Sequence, residues 1–129
     1  MWRASAQRLR VVEALGAMKD ERAARPLIRA LSDPEWHVRM EAEWALLEIG
    51  QPAVELLISA LHDEGVRWKA AGVLVKLGGV SLEPLRKALR GPADPNIRQG
   101  GEWAVRKIQD LKAKMKESRP ASRRGPPGR

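Results

Sequence analysis

The sequence predicts an all-α protein, a right-handed α-solenoid of about four helical hairpins and about seven helices followed by a disordered basic tail. Three observations predict it: a gapless recurring motif, apolar positions with helical period, and helix start and stop residues falling between the copies. The repeat domain is expected to span 1–116 and the tail 117–129.

One motif opens on a β-branched residue followed by arginine. It reads Val38-Arg39 with Ala42, Ala45, Leu46, Ile49 and Gly50, then Val66-Arg67 with Ala70, Val73, Leu74, Leu77 and Gly78, then Ile97-Arg98 with Gly101, Ala104, Val105 and Ile108. A degenerate copy precedes these: Arg8, Val11, Val12, Leu15 and Gly16 fit the later offsets, while Ala4 and Ser5 replace the opening pair. On an ideal helix, offsets 0, 4, 7, 8 and 11 fall within about 100° of arc, the width of one buried stripe. A second motif lies between the copies, Pro26-Leu27-Ile28-Arg29-Ala30-Leu31, Leu56-Leu57-Ile58-Ser59-Ala60-Leu61 and Pro84-Leu85-Arg86-Lys87-Ala88-Leu89, with its leucines at i and i+4. The chain therefore alternates helix A, carrying the first motif, with helix B, carrying the second.

The elements follow in order. The first A helix is expected to stop at Gly16, and Asp20 to cap the first B helix, with Pro26 in its first turn. Asp33-Pro34 reads as an N-cap and first helical position for the second A helix, which Gly50 ends. The second B helix stops before Gly65, and the third A helix stops at Gly78. Ser81 is expected to cap the third B helix, with Pro84 in its first turn. Asp94-Pro95 opens a last helix that runs past Ile108 to Leu111 and Met115. A hairpin of this length cannot bury its stripe alone, so neighbours must stack.

These residues resemble a known family. Xaa-Val-Arg-x-x-Ala-x-x-Ala-Leu-x-x-Ile-Gly joined to Pro-Leu-Ile-x-Ala-Leu and Asp-Pro is similar to the short HEAT repeat named after phycobilisome lyases, over Ala4 to Asp110. The resemblance implies a solenoid, but that repeat serves many unrelated tasks. It also implies that Arg39, Arg67 and Arg98 are structural. With Asp33, Asp63 and Asp94 shortly before them, they are expected to form a ladder of ion pairs between helices.

Composition narrows the chemistry. The chain of 129 residues has no cysteine and two histidines, which excludes a disulfide framework and thiolate-held metals. Iron-binding HEAT hydroxylases carry His-Glu pairs, whereas here Val38 follows His37 and Asp63 follows His62. Ser5, Ser32, Ser59 and Ser81 lack a His-carboxylate constellation, and no Gly-rich phosphate loop is present. We expect no catalytic residue, no cofactor, no metal and no membrane span in a cytoplasmic protein.

The net charge of +8 is uneven, with +2 up to Leu111 and +6 beyond it. That excess belongs to Lys112, Lys114, Lys116, Arg119, Arg123, Arg124 and Arg129, candidates for phosphate contact with a nucleic acid. The B-helix surface is mixed: Arg22, Arg25 and Arg29 in the first repeat, then Glu55 and Ser59, then Glu83 and Lys87. HEAT-like DNA glycosylases would need a continuous basic stripe there.

With no Phe and no Tyr, the five tryptophans would be expected in the core. Their offsets say otherwise. With the opening residue of helix A at 0° and the buried stripe centred at about 30°, Trp44 and Trp103 fall at about 240°, Trp68 and Met40 at about 200°, Leu47 and Val75 at about 180°, and Trp36 at about 160°. We expect these residues to form an exposed patch on the outer A helices that docks a protein partner or a second copy. The function expected is a non-catalytic interaction scaffold or adaptor. The alternatives are a nucleic-acid or ribonucleoprotein accessory factor acting through the basic tail and, from the family resemblance, a bilin lyase or chaperone-like protein.

Overall fold

The computed structural model describes residues 2–117, and its regular elements are α1 (Trp2–Met18), α2 (Ala24–Ala30), α3 (Trp36–Ile49), α4 (Val54–Ala60), α5 (Arg67–Leu77), α6 (Gly79–Leu89) and α7 (Pro95–Glu117). Short 3-10 turns at Glu21–Ala23 and Gln51–Ala53 lead into α2 and α4. Helices α1, α3, α5 and α7 form the A layer, each packed on the next. Helices α2, α4 and α6 form the B layer, stacked in the same order. Among the described residues this is an all-α solenoid of three full hairpins and a closing A helix.

Both motifs are buried. Leu27, Leu57 and Leu85 of the B helices are fully enclosed, as are Leu46 and Leu74 of the A helices they face. Each of these five helices thus supplies a leucine to a continuous core, and enclosing such a side chain contributes about 1.5–3 kcal/mol. Gly50 and Gly78 end α3 and α5 with φ of 71° and 73°, a conformation that favours glycine. Asp94 accepts from the Asn96 main-chain N–H at 2.8 Å with Pro95 as the first helical residue, as its sequence predicts.

Several local expectations are corrected. Gly16 does not stop α1, which continues to Met18 and turns at Lys19 with φ of 49°. Gly16 instead permits close approach, since a Cβ there would lie 3.0 Å from Ala45 Cβ of α3. Helix α3 starts at Trp36 rather than Pro34, while Asp33 accepts from the Glu35 main-chain N–H at 2.9 Å. Ser81 and Pro84 lie inside α6, because the segment equivalent to the two 3-10 turns is here absorbed into the helix. The Ser81 hydroxyl donates to Leu74 O at 2.8 Å and ties α6 to the end of α5. Val11, placed on the buried stripe, is 58% exposed. Its equivalents Ala45, Val73 and Ala104 are covered by the preceding A helix, and among the described residues none precedes α1.

The arginine ladder takes a different form. Arg39 donates to Asp33 O at 2.7 Å and Pro34 O at 2.9 Å. Arg67 donates to Leu61 O at 2.7 Å, and Arg98 donates to Leu89 O at 3.1 Å and Gly91 O at 2.8 Å. These arginines therefore satisfy carbonyls at or just after the ends of B helices, where a cation also suits the helix dipole. Asp33, Asp63 and Asp94 instead bind main-chain N–H groups of their own loops. Among the described residues no ion pair joins Asp33, Asp63 or Asp94 to the arginine that follows it, and Asp33 pairs instead with Arg8 of α1. Arg67 alone is buried, at 8% exposure, and reaches Gln99 Oε1 of α7 at 3.3 Å, so it sets the register of α5 on α7.

Candidate functional site

The indoles stand on the A layer because helix A is buried on the B-facing side and its far side meets solvent. Trp36 opens α3 and stacks on His37 with ring centroids 3.8 Å apart. Trp44 follows about two turns later on the same helix. Trp68, the second residue of α5, meets Trp103 of α7 edge to face, with centroids 5.8 Å apart and planes at 86°. Lys107 Nζ lies 6.0 Å from the Trp103 ring centroid, within cation–π range. Exposures of 53%, 52% and 48% at Trp36, Trp44 and Trp68 leave about half of each indole in water.

The other patch candidates divide differently. Met40 is half-buried, and Leu47, Val75 and Trp103 are half-buried against the core. Each inner A helix lies between two A helices as well as on the B layer, so a wider arc is covered than one hairpin's stripe implies. The exposed surface thus consists of Trp36, Trp44 and Trp68, with Trp103 lying beside Trp68.

Repeat equivalence locates one more feature that side-chain periodicity misses. Trp68 occupies the third position of its motif copy and Trp103 the seventh of the next. The corresponding pair one repeat earlier is Met40 and Gly72. A Cβ on Gly72 would meet nothing within 4 Å. Where the α5–α7 junction holds an indole, the α3–α5 junction holds open space, with a recess of about 220 Å³ lined in part by Arg39, Glu43, Lys69 and Lys76 beside it. Lys76 pairs with Glu43 across that junction.

The candidate phosphate contacts are not brought together. Lys112, Lys114 and Lys116 are exposed on the last turns of α7, where Lys112 and Lys116 share a side and Lys114 projects roughly opposite. Arg119, Arg123, Arg124 and Arg129 lie outside the described residues. On the B layer Arg22 is bound to Asp20 at 2.7 Å, and Arg90 to Glu83 at 3.0 Å. His62 is exposed, with its Nδ1 2.6 Å from Ser59 O, which as an acceptor places the proton on Nδ1. His37 is the second residue of α3, its ring against that of Trp36. Ser32 donates to Gly65 O at 2.8 Å.

One titrating group is held by geometry. Burial alone would raise the Asp33 carboxyl, but hydrogen bonds from Arg8 and the Glu35 main-chain N–H, with the charges of Arg8 and Arg39, hold it below the usual carboxylate range. Arg8 reaches it with two nitrogens, at 2.8 and 3.3 Å. Arg8 stands where later copies have Ala42, Ala70 and Gly101.

Residues 4–65 match the HEAT repeats family. That segment holds the first two hairpins, and α5 to α7 continue the same stacking, so the all-α fold is consistent with a HEAT-repeat solenoid. No curated protein matches the chain. HEAT repeats are commonly protein-interaction scaffolds and generally non-catalytic. Among the described residues no helix is long and apolar enough to cross a membrane.

Proposed function

We propose that this HEAT-repeat chain is a non-catalytic scaffold or adaptor that docks a protein partner through the indoles of its A layer. The observation that carries the reading is the half exposure of Trp36, Trp44 and Trp68 on one layer. Tryptophan, with tyrosine and arginine, is enriched among the few residues that carry most of an interface's binding free energy. The gap at Gly72, between the indoles of α3 and the Trp68–Trp103 pair, offers a seat for a side chain of the partner. The Lys76–Glu43 pair at its edge supplies a polar rim.

A finer likeness to the phycobilisome-lyase type of repeat is part of the proposal for shape only, since none of its residues points to a tetrapyrrole. The cytoplasm is the proposed working place, where a chain without cysteine loses nothing to a reducing environment.

Light scattering and capture of bound protein from a cell extract test the reading with Trp44→Ala combined with Trp68→Ala. Both side chains are half in water, so the variant keeps its thermal midpoint within a few degrees. Association is expected to fall at least tenfold. Unchanged mass and unchanged capture by a folded double variant reject the proposal.

A further inference from the structure

On the layer opposite the indoles, α2 and α4 lie side by side, and a cleft of about 380 Å³ opens between them. Its floor is apolar, built from Ile28, Leu56, Ala60 and Val66. One wall carries Arg25 and Arg29, a turn apart on α2. Both are exposed, and among the described residues neither guanidinium has a hydrogen-bond or ion-pair partner. Arg22, by contrast, is held by Asp20. Asp63 is the acid that lines the cleft, and its Oδ1 is engaged by the Gly65 N–H at 2.9 Å. The Ser32 hydroxyl, donating to Gly65 O, ties the end of α2 to the loop before α5 and fixes the spacing of the walls.

Two unpaired guanidinium groups beside an apolar floor ask for a ligand that carries both negative charge and hydrocarbon. The spacing narrows it. Residues four apart on a helix stand about 6 Å apart along the axis. In an extended peptide, residues two apart project to one side at about 6.6–6.8 Å, and the residue between projects to the other. We propose that this cleft binds an acidic peptide segment of a protein partner, in the pattern acid, aliphatic, acid, with its carboxylates on Arg25 and Arg29 of α2 and its aliphatic side chain turned across the cleft onto Leu56 and Ala60 of α4. Each guanidinium presents a planar fork that takes a carboxylate through two parallel hydrogen bonds. A phosphate chain would engage the arginines but leave Ile28, Leu56 and Val66 uncovered. The site is separate from the indole surface and does not depend on it.

The probe is a fluorescein-labelled Gly-Glu-Leu-Glu-Gly peptide titrated with the full chain and read by fluorescence anisotropy. Saturable binding is expected, weakened at least tenfold by combined Arg25→Ala and Arg29→Ala, and weakened severalfold when the peptide leucine becomes serine. Trp44→Ala with Trp68→Ala should leave it unchanged. Circular dichroism establishes that the arginine variant is folded. Should it not be, single Arg29→Glu replaces it and is expected to prefer Gly-Lys-Leu-Lys-Gly over the acidic peptide. Equal binding by the folded arginine variant, as when the C-terminal lysines hold the peptide, overturns the proposal. So does displacement by inorganic phosphate as effective as displacement by unlabelled peptide.

Discussion

Arg8 and Asp33 show how one departure from the repeat acquires a purpose. At the motif position where later copies keep alanine or glycine, the first copy extends a guanidinium to the loop that opens α3. The Asp33 carboxyl is depressed in the folded chain, so its stabilisation is fully present above the ordinary carboxylate range, about pH 3.9 for Asp, and is lost as pH falls through the lower folded value. Arg8→Ala is expected to lower stability at neutral pH by about 0.5–1 kcal/mol, a modest figure because the arginine is 42% exposed and water screens the pair. It should also flatten the loss of stability on acidification below about pH 4. Urea midpoints measured from neutral pH downward check both. Asp20, also depressed by the hydrogen bonds from the Arg22 side chain and main chain, is shared by both proteins and cancels in the comparison. Parallel pH profiles would show that Arg8 does not hold the carboxyl.

At the scale of the helices, glycine separates what the sequence discloses from what only packing decides. Gly72 and Gly100 both sit inside helices, and nothing in their flanking residues tells them apart. The structure does: Gly72 faces open space, whereas a Cβ on Gly100 would lie 3.1 Å from Arg67 Cγ and 3.2 Å from Leu61 Cδ2. Gly72→Ala is therefore expected to stabilise by about 0.5–1 kcal/mol, through backbone entropy alone. Gly100→Ala should destabilise, since Leu61 is fully enclosed and Arg67 is anchored to the Leu61 carbonyl, so neither yields freely. Denaturant titrations of the two variants read the opposite signs. The core was legible for a related reason: Leu27, Leu46, Leu57 and Leu74 meet within a hairpin or with its neighbour, and helical period alone brings them to one side. Val11 and Val75 were misplaced because their exposure depends on which helix stands alongside, a property of the stack rather than of the helix. The indoles of Trp36, Trp44 and Trp68 were legible from angle, while the empty place at Gly72 needed the Trp68–Trp103 contact to reveal it. Arg25 and Arg29 were legible as charges on the B-helix surface, whereas the cleft between α2 and α4 was not, because its opening depends on how two successive B helices and the loop before α5 stand together.

Across the whole molecule, the distribution of charge separates two kinds of association. The indole surface lies on α3, α5 and α7 with both signs of charge around it, while most of the net positive charge follows Leu111. Burying indoles is driven by apolar area and changes little with salt. Phosphate contact through cations releases counterions, and with up to seven of them the logarithm of affinity would fall with the logarithm of salt at a slope of order −5. Lys112 and Lys116 project from one side of α7 and Lys114 from the other, and the remaining four cations lie beyond residue 118. Deleting residues 118–129 is therefore expected to leave partner association intact at both low and high salt, because Trp36, Trp44 and Trp68 are untouched. Light scattering of full-length and shortened chains across a salt series is the measurement. A shortened chain that loses association, together with a full-length chain whose association falls steeply with salt, would move the function from the A layer to the cationic end.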